Sequence, residues 1–137
     1  MIEGISHMTF IVADLDKASL FFEEIFNAKQ VYDSGNQTYS LSKERFFLIG
    51  DLWIAIMEGE SLTETTYNHI AFKIPKETLP LYLEKINSLG LTIKEQRSRV
   101  KEEGESLYFY DFDHHLFELH TGTLAERLTR YERDQNN

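Results

Sequence analysis

A strand-like pattern that opens on a histidine occurs twice in this chain, and the repeat restricts the possible folds more than any other feature. Ile5-Ser6-His7-Met8-Thr9-Phe10-Ile11-Val12 has a counterpart in Tyr67-Asn68-His69-Ile70-Ala71-Phe72-Lys73-Ile74. Strict alternation puts Met8, Phe10 and Val12 on one face, and likewise Ile70, Phe72 and Ile74. Each histidine is on the other face. A helix signal follows each strand. Asp14 suits an N-cap before Leu15, Ala18, Leu20, Phe21, Phe22, Ile25 and Phe26, with Asn27 at the stop. In the second copy Pro75 suits a helix entrance, Leu79, Leu81, Tyr82, Leu83 and Ile86 are the apolar positions, Pro80 falls in the first turn, and Gly90 marks the end. Strand candidates come next, near 29–33, 37–41 with 45–49, and 52–58, then near 91–95, 106–111 and 115–121.

This order predicts an α+β chain, a single domain over 1–137 made of two tandem βαβββ modules at about 1–60 and 66–121, with a C-terminal amphipathic helix at about 123–133. Each module alone would expose one sheet face. The pair is therefore expected to form a curved mixed sheet with a polar concave side and helices on the outer face.

Composition narrows the chemistry. The chain has 137 residues, 42% of them hydrophobic, enough for a real core, and no cysteine. Any metal must then be held by histidine and carboxylate. A formal net charge of −9 argues against nucleic-acid or anionic-membrane partners, while leaving room for a small anion held by a few focused arginines. No apolar run reaches the roughly 18 residues that span a bilayer, and the N-terminus lacks a signal-peptide pattern, so a cytoplasmic protein is expected.

A carboxylate, Glu118, stands in the strongly apolar strand Leu116-Phe117-Glu118-Leu119-His120, on the face it shares with His120. Such a group must be paired, protonated or bound to a cation. Taken singly, His7, His69 and Glu118 read as ordinary strand residues. Together they form a two-histidine, one-carboxylate set that leaves metal positions open and suits Mn²⁺ or Fe²⁺ without excluding Zn²⁺ or Ni²⁺. Aligning strand ends pairs Glu118 with Ala55, so the first module lacks the matching carboxylate.

The segments Gly4-Ile5-Ser6-His7-Met8-Thr9, Tyr67-Asn68-His69-Ile70-Ala71-Phe72, Ser106-Leu107-Tyr108-Phe109-Tyr110-Asp111 and Leu116-Phe117-Glu118-Leu119-His120-Thr121-Gly122 together resemble the fosfomycin-resistance proteins of the vicinal oxygen chelate superfamily. That family contains thiol transferases, using glutathione, bacillithiol or cysteine, and an epoxide hydrolase branch, the FosX type. Tyr39 to Ile49 most resembles the hydrolase branch, in which a glutamate at the position of Glu44 acts as general base. The resemblance implies Mn²⁺ on His7, His69 and Glu118, and a homodimer in which His7 comes from one chain and His69 with Glu118 from the other. It implies a phosphonate contact from Arg127 and substrate contacts from Ser106 and Tyr108; Thr9, on the face of His7, reads as a further substrate contact or as a β-branched strand filler. Non-catalytic drug binders share the fold and stand as a further alternative.

Chemically, opening an epoxide with water needs a base for the proton and an electrophile for the developing alkoxide. Without the family pattern, Glu44 in the polar turn Ser42-Lys43-Glu44-Arg45 would read as a surface acid. Arg97, Arg99 and Lys101 could close over a substrate or form a solvated loop. Glu102-Glu103-Gly104-Glu105 resembles a region where glutathione-using relatives bind a monovalent cation, which leaves K⁺ use open. The family's Asp-Pro-Asp-Gly turn is replaced by Asp111-Phe112-Asp113-His114, where His114 would have to adopt a left-handed conformation. His114, His115 and His120 read as turn or supporting residues.

Overall fold

The computed structural model describes residues 1–94 and 104–136. They form two compact units, Met1–Glu64 with Asp111–His114, and Thr65–Tyr110 with His115–Asn137. Among the described residues no helix is long and apolar enough to cross a membrane.

The first unit runs β1 (His7–Val12), α1 (Leu15–Phe26), β2 (Lys29–Asp33), β3 (Glu44–Ile49) and β4 (Leu52–Glu58). Its sheet has the order β1-β4-β3-β2, with β1 parallel to β4 and the other pairs antiparallel. The Asp14 side chain caps α1 by accepting from the amides of Asp16 and Lys17, and Asn27 ends it in a left-handed conformation at φ 52°. Phe21, Phe22 and Ile25 on the inner helix face are buried with Val12, Phe47, Ile54 and Ile56 from the strands. The alternation in β1 is thus explained by α1 covering one side of the sheet.

The second unit repeats the plan: β5 (His69–Lys73), a 3-10 turn (Lys76–Thr78), α2 (Leu79–Ser88), β6 (Ile93–Lys94), β7 (Ser106–Tyr110), β8 (Leu116–His120) and α3 (Leu124–Gln135). Its sheet order is β5-β8-β7-β6, again with the first pair parallel. Pro75 precedes the 3-10 turn and Pro80 lies in the first turn of α2, where its missing N–H costs no helical bond.

Two local expectations need correction. Residues 37–41 form no strand, because both sides of β3 are already taken by β2 and β4, and Tyr39 and Leu41 project into solvent at 74% and 84% exposure. Glu44 is not in a turn; it is the first residue of β3. His114 does adopt the left-handed conformation, at φ 70°, and its Nδ1 lies 2.6 Å from the Leu62 carbonyl, which anchors the turn. The neighbouring Asp113 is buried and accepts from the Ala13 amide at 2.9 Å and the Ser61 hydroxyl at 2.5 Å.

Candidate active site

Ladder register turns the internal repeat into a map. His7 pairs with Trp53 and Thr9 with Ala55; His69 pairs with Leu116 and Ala71 with Glu118. His7 and His69 are therefore equivalent, and so are Ala55 and Glu118. On the neighbouring strands Phe46 pairs with Ala55 as Tyr108 pairs with Glu118, and Glu44 pairs with Met57 as Ser106 pairs with His120. Directly paired residues share a face. Each unit thus carries a histidine-led face, with Thr9 and Glu44 on the first and Glu118, Tyr108, Ser106 and His120 on the second.

The second face is a connected polar network. Glu118 is only 4% exposed, and its Oε1 lies 3.0 Å from His69 Nε2. His69 Nδ1 is 2.7 Å from the Tyr67 carbonyl oxygen. A carbonyl can only accept, so Nδ1 carries the hydrogen. Nε2 then meets the carboxylate oxygen either through a proton of its own or, with that proton gone, through a cation held between the two. The 3.0 Å spacing matches two adjacent ligands on an octahedral ion about 2.1 Å from each. The donor set therefore fits a hard or borderline divalent metal. Ser106 Oγ donates to Glu118 Oε2 at 2.5 Å, and the Tyr67 hydroxyl donates to the Tyr108 hydroxyl at 3.1 Å. Arg127 reaches back from α3, with Nη2 at 3.3 Å from His120 Nε2. His69, Glu118, His120 and Arg127 line a cavity of about 300 Å³, large enough for a small anion.

The first face is less polar. The His7 ring packs 4.1 Å from that of Trp53, and Ser6 Oγ lies 3.0 Å from His7 Nδ1. Thr9 is exposed. Glu44 is 8% exposed, with Met57 opposite it. Its backbone is pinned by Ser34, whose hydroxyl accepts from the Glu44 amide and whose own amide donates to the Glu44 carbonyl, both at 3.0 Å. Beside it, Arg45 points to the other face and ties α1 to β2, bonding Asp16 at 2.8 Å, Asp33 at 3.1 Å, Ser19 at 2.8 Å and the Leu15 carbonyl at 3.1 Å. Glu44 is thereby held on a rigid strand start. Partial burial raises the pKa of the Tyr32 phenol, and the nearby Tyr39, Glu44 and Asp33 add to the effect.

The structure brings His69, Glu118, Ser106, Tyr108 and Arg127 together in one unit, while His7, Thr9 and Glu44 belong to the other. Among the described residues no group of three His, Asp or Glu side chains forms a metal-holding cluster. His120, expected from the sequence to be a turn or supporting residue on the Glu118 face, links Ser106 to Arg127, whereas the Arg45 clamp escaped the sequence pattern because nothing local marks it. Arg97, Arg99, Lys101, Glu102 and Glu103 lie outside the described residues.

Residues 4–119 match the glyoxalase/bleomycin resistance protein/dioxygenase superfamily. The chain belongs to that superfamily. Among its relatives, the fosfomycin resistance protein FosX of Listeria innocua is 64% identical over 133 residues, covering 97% of this chain and 100% of that protein. A crystal structure of a mutant FosX from Listeria monocytogenes, complexed with Mn(II) and 1S,2S-dihydroxypropylphosphonic acid, superposes with a TM-score of 0.87 at 57% identity, covering 96% of this chain and 99% of that one. The metallothiol transferase FosB of Shouchella clausii is more distant, 37% identical over 97% of this chain and 90% of its own length. The tandem βαβββ plan expected from the repeat is the fold of these superfamily members.

Proposed function

We propose that this chain is a cytoplasmic, Mn²⁺-dependent epoxide hydrolase that inactivates fosfomycin by adding water. The observation that carries the reading is the His69 Nε2 to Glu118 Oε1 pair, 3.0 Å apart as two adjacent ligands of one ion would be, in a chain 64% identical to a FosX protein. The diol phosphonate held by the Listeria monocytogenes relative is the product expected from hydration of the epoxide. Greater similarity to FosX than to the FosB transferase favours water over a thiol as nucleophile.

In this reading His69 and Glu118 of one copy and His7 of a second copy hold the ion, and the working unit is a homodimer. Bound there, Mn²⁺ supplies a Lewis acid for the epoxide oxygen. Arg127 offers a planar fork of N–H donors to the phosphonate, and Tyr108 and Thr9 offer hydroxyl donors, while Ser106, whose hydroxyl hydrogen goes to Glu118, lines the same face. Glu44 takes the proton from water as the C–O bond opens, a role suited to a buried carboxylate fixed at a strand start.

Purified protein given Mn²⁺ and fosfomycin without any thiol should form the diol, followed by ³¹P NMR. Product that appears only with glutathione, bacillithiol or cysteine would make the chain a transferase, and stoichiometric protection without product would make it a binder. Glu44→Gln should lower the water-dependent rate by about 10²- to 10⁴-fold, the usual range for a lost general base, with Mn²⁺ affinity kept.

A further inference from the structure

We infer that His120 is a positioning residue that couples the phosphonate-binding arginine to the metal-binding carboxylate. The inference rests on the functional reading above, in which Arg127 and Glu118 hold those two groups. Four side chains form a continuous chain: Arg127 Nη2 to His120 Nε2 at 3.3 Å, His120 Nδ1 to Ser106 Oγ at 2.6 Å, and Ser106 Oγ to Glu118 Oε2 at 2.5 Å.

Donor and acceptor chemistry gives every link one direction. A guanidinium has no acceptor, so Arg127 donates and His120 Nε2 accepts. The imidazole hydrogen then sits on Nδ1, where it is directed to Ser106 Oγ and to Glu118 Oε2, 3.3 Å away. Ser106 has a single hydroxyl hydrogen, and it goes to Glu118. The carboxylate is thereby turned so that Oε1 faces His69, while the guanidinium is held with its other donors free to serve the cavity that both groups line. Met57, at the equivalent register position of the first unit, can do neither. A residue chosen only to fill that place in the sheet would not need two ring nitrogens engaged in opposite senses.

Two substitutions separate the two ends of the ring. His120→Asn keeps an amide near the Nδ1 position and removes the partner of Arg127. His120→Gln places an amide oxygen near the Nε2 position and gives up the bond to Ser106. Mn²⁺ affinity is read from the electron paramagnetic resonance of free Mn²⁺, and phosphonate affinity from calorimetric titration of metal-saturated protein with methylphosphonate. The Asn variant should bind Mn²⁺ like the unaltered protein and methylphosphonate about tenfold more weakly, and the Gln variant should show the reverse, at the lower end of what supporting bonds around a metal contribute. Equal losses of both affinities in both variants, or no change in either, would overturn the coupling. If neither variant folds, Ser106→Ala breaks the chain one link further along, and unchanged Mn²⁺ affinity in that protein overturns the inference as well. Unaltered protein that binds no Mn²⁺ removes the functional reading, and this inference with it.

Discussion

The two units share a strand order and a leading histidine, yet their equivalent faces are chemically unlike. Behind His7 the first presents Ala55, Phe46 and Met57 and a single carboxylate, Glu44; behind His69 the second presents Glu118, Tyr108, His120 and Ser106. One backbone plan has been filled once with apolar contacts around an isolated acid and once with a hydrogen-bonded polar set. The backbone supplies positions, and the side chains decide whether a position can hold a charge. Both units also pin the start of the corresponding strand with a hydroxyl residue: Ser34 brackets Glu44, and Thr121 brackets Glu105, taking its amide on the hydroxyl at 2.8 Å and donating to its carbonyl at 3.0 Å.

Exchanging the chemistry at equivalent positions breaks the comparison most severely. Ala55→Glu would put a carboxylate where Ala55 is 4% exposed and Phe46 and Thr9 are its direct neighbours, with none of the donors that serve Glu118. An uncompensated buried charge costs about 3–5 kcal/mol, so the midpoint of urea denaturation should fall steeply. Stability kept at the level of the unaltered protein would mean that the first face can hold a charge after all. The converse change, Glu118→Ala, makes the second unit resemble the first. It should weaken Mn²⁺ binding by more than about a hundredfold, beyond the effect of losing a supporting residue. Unchanged affinity would show that Glu118 is not a ligand.

Much of this contrast is legible in the amino-acid sequence. The period-two alternation and the paired histidines gave the strands, their faces and the equivalence of Glu118 with Ala55, because in a ladder the register follows from where each strand starts. The Asp14 and Asn27 caps were readable for the same local reason. Glu44 was harder. Its neighbours Ser42, Lys43 and Arg45 signal a surface, while its burial comes from Met57 on β4 and from the Ser34 bracket ten residues earlier in the chain. The strand expected at 37–41 failed because alternation does not say which neighbours a strand will take, and β3 is paired on both sides by β2 and β4. The His120 link depends on ring nitrogens and distances that spacing cannot express.

Smaller substitutions sharpen the comparison at the brackets. Gly104 has φ +82°, and a Cβ there would stand 2.5 Å from the Gly122 amide nitrogen and 2.8 Å from its Cα. Gly122 precedes Thr123, which caps the helix carrying Arg127 by accepting from the Glu126 amide. Gly104→Ala should cost about 1–3 kcal/mol of stability, through a strained left-handed alanine and a forced backbone shift. It should also weaken methylphosphonate binding by displacing Arg127. Thermal denaturation with a phosphonate titration checks both, and a loss of stability with phosphonate affinity intact would separate the bracket from the helix.

The smallest effect is a pH dependence carried by the first unit. Tyr32 packs against Phe46 with ring centroids 4.8 Å apart, and burial first, then Tyr39, Glu44 and Asp33, raise its pKa above the ordinary phenol value of 10.0. Between the unfolded and folded pKa values the folded protein binds more protons, so stability falls as pH rises through that interval. The contribution is fully present below about pH 10, the unfolded value, and is lost as pH passes the folded one. Tyr32→Phe should therefore flatten the decline of the denaturation midpoint above about pH 10 without changing it near neutrality. In Glu44→Gln the tyrosinate absorbance assigned to Tyr32, by difference from Tyr32→Phe, should appear at lower pH than in the unaltered protein. An unshifted titration would mean that the Glu44 charge does not reach Tyr32, and the acid on the first face would be more isolated than its burial beside that ring implies.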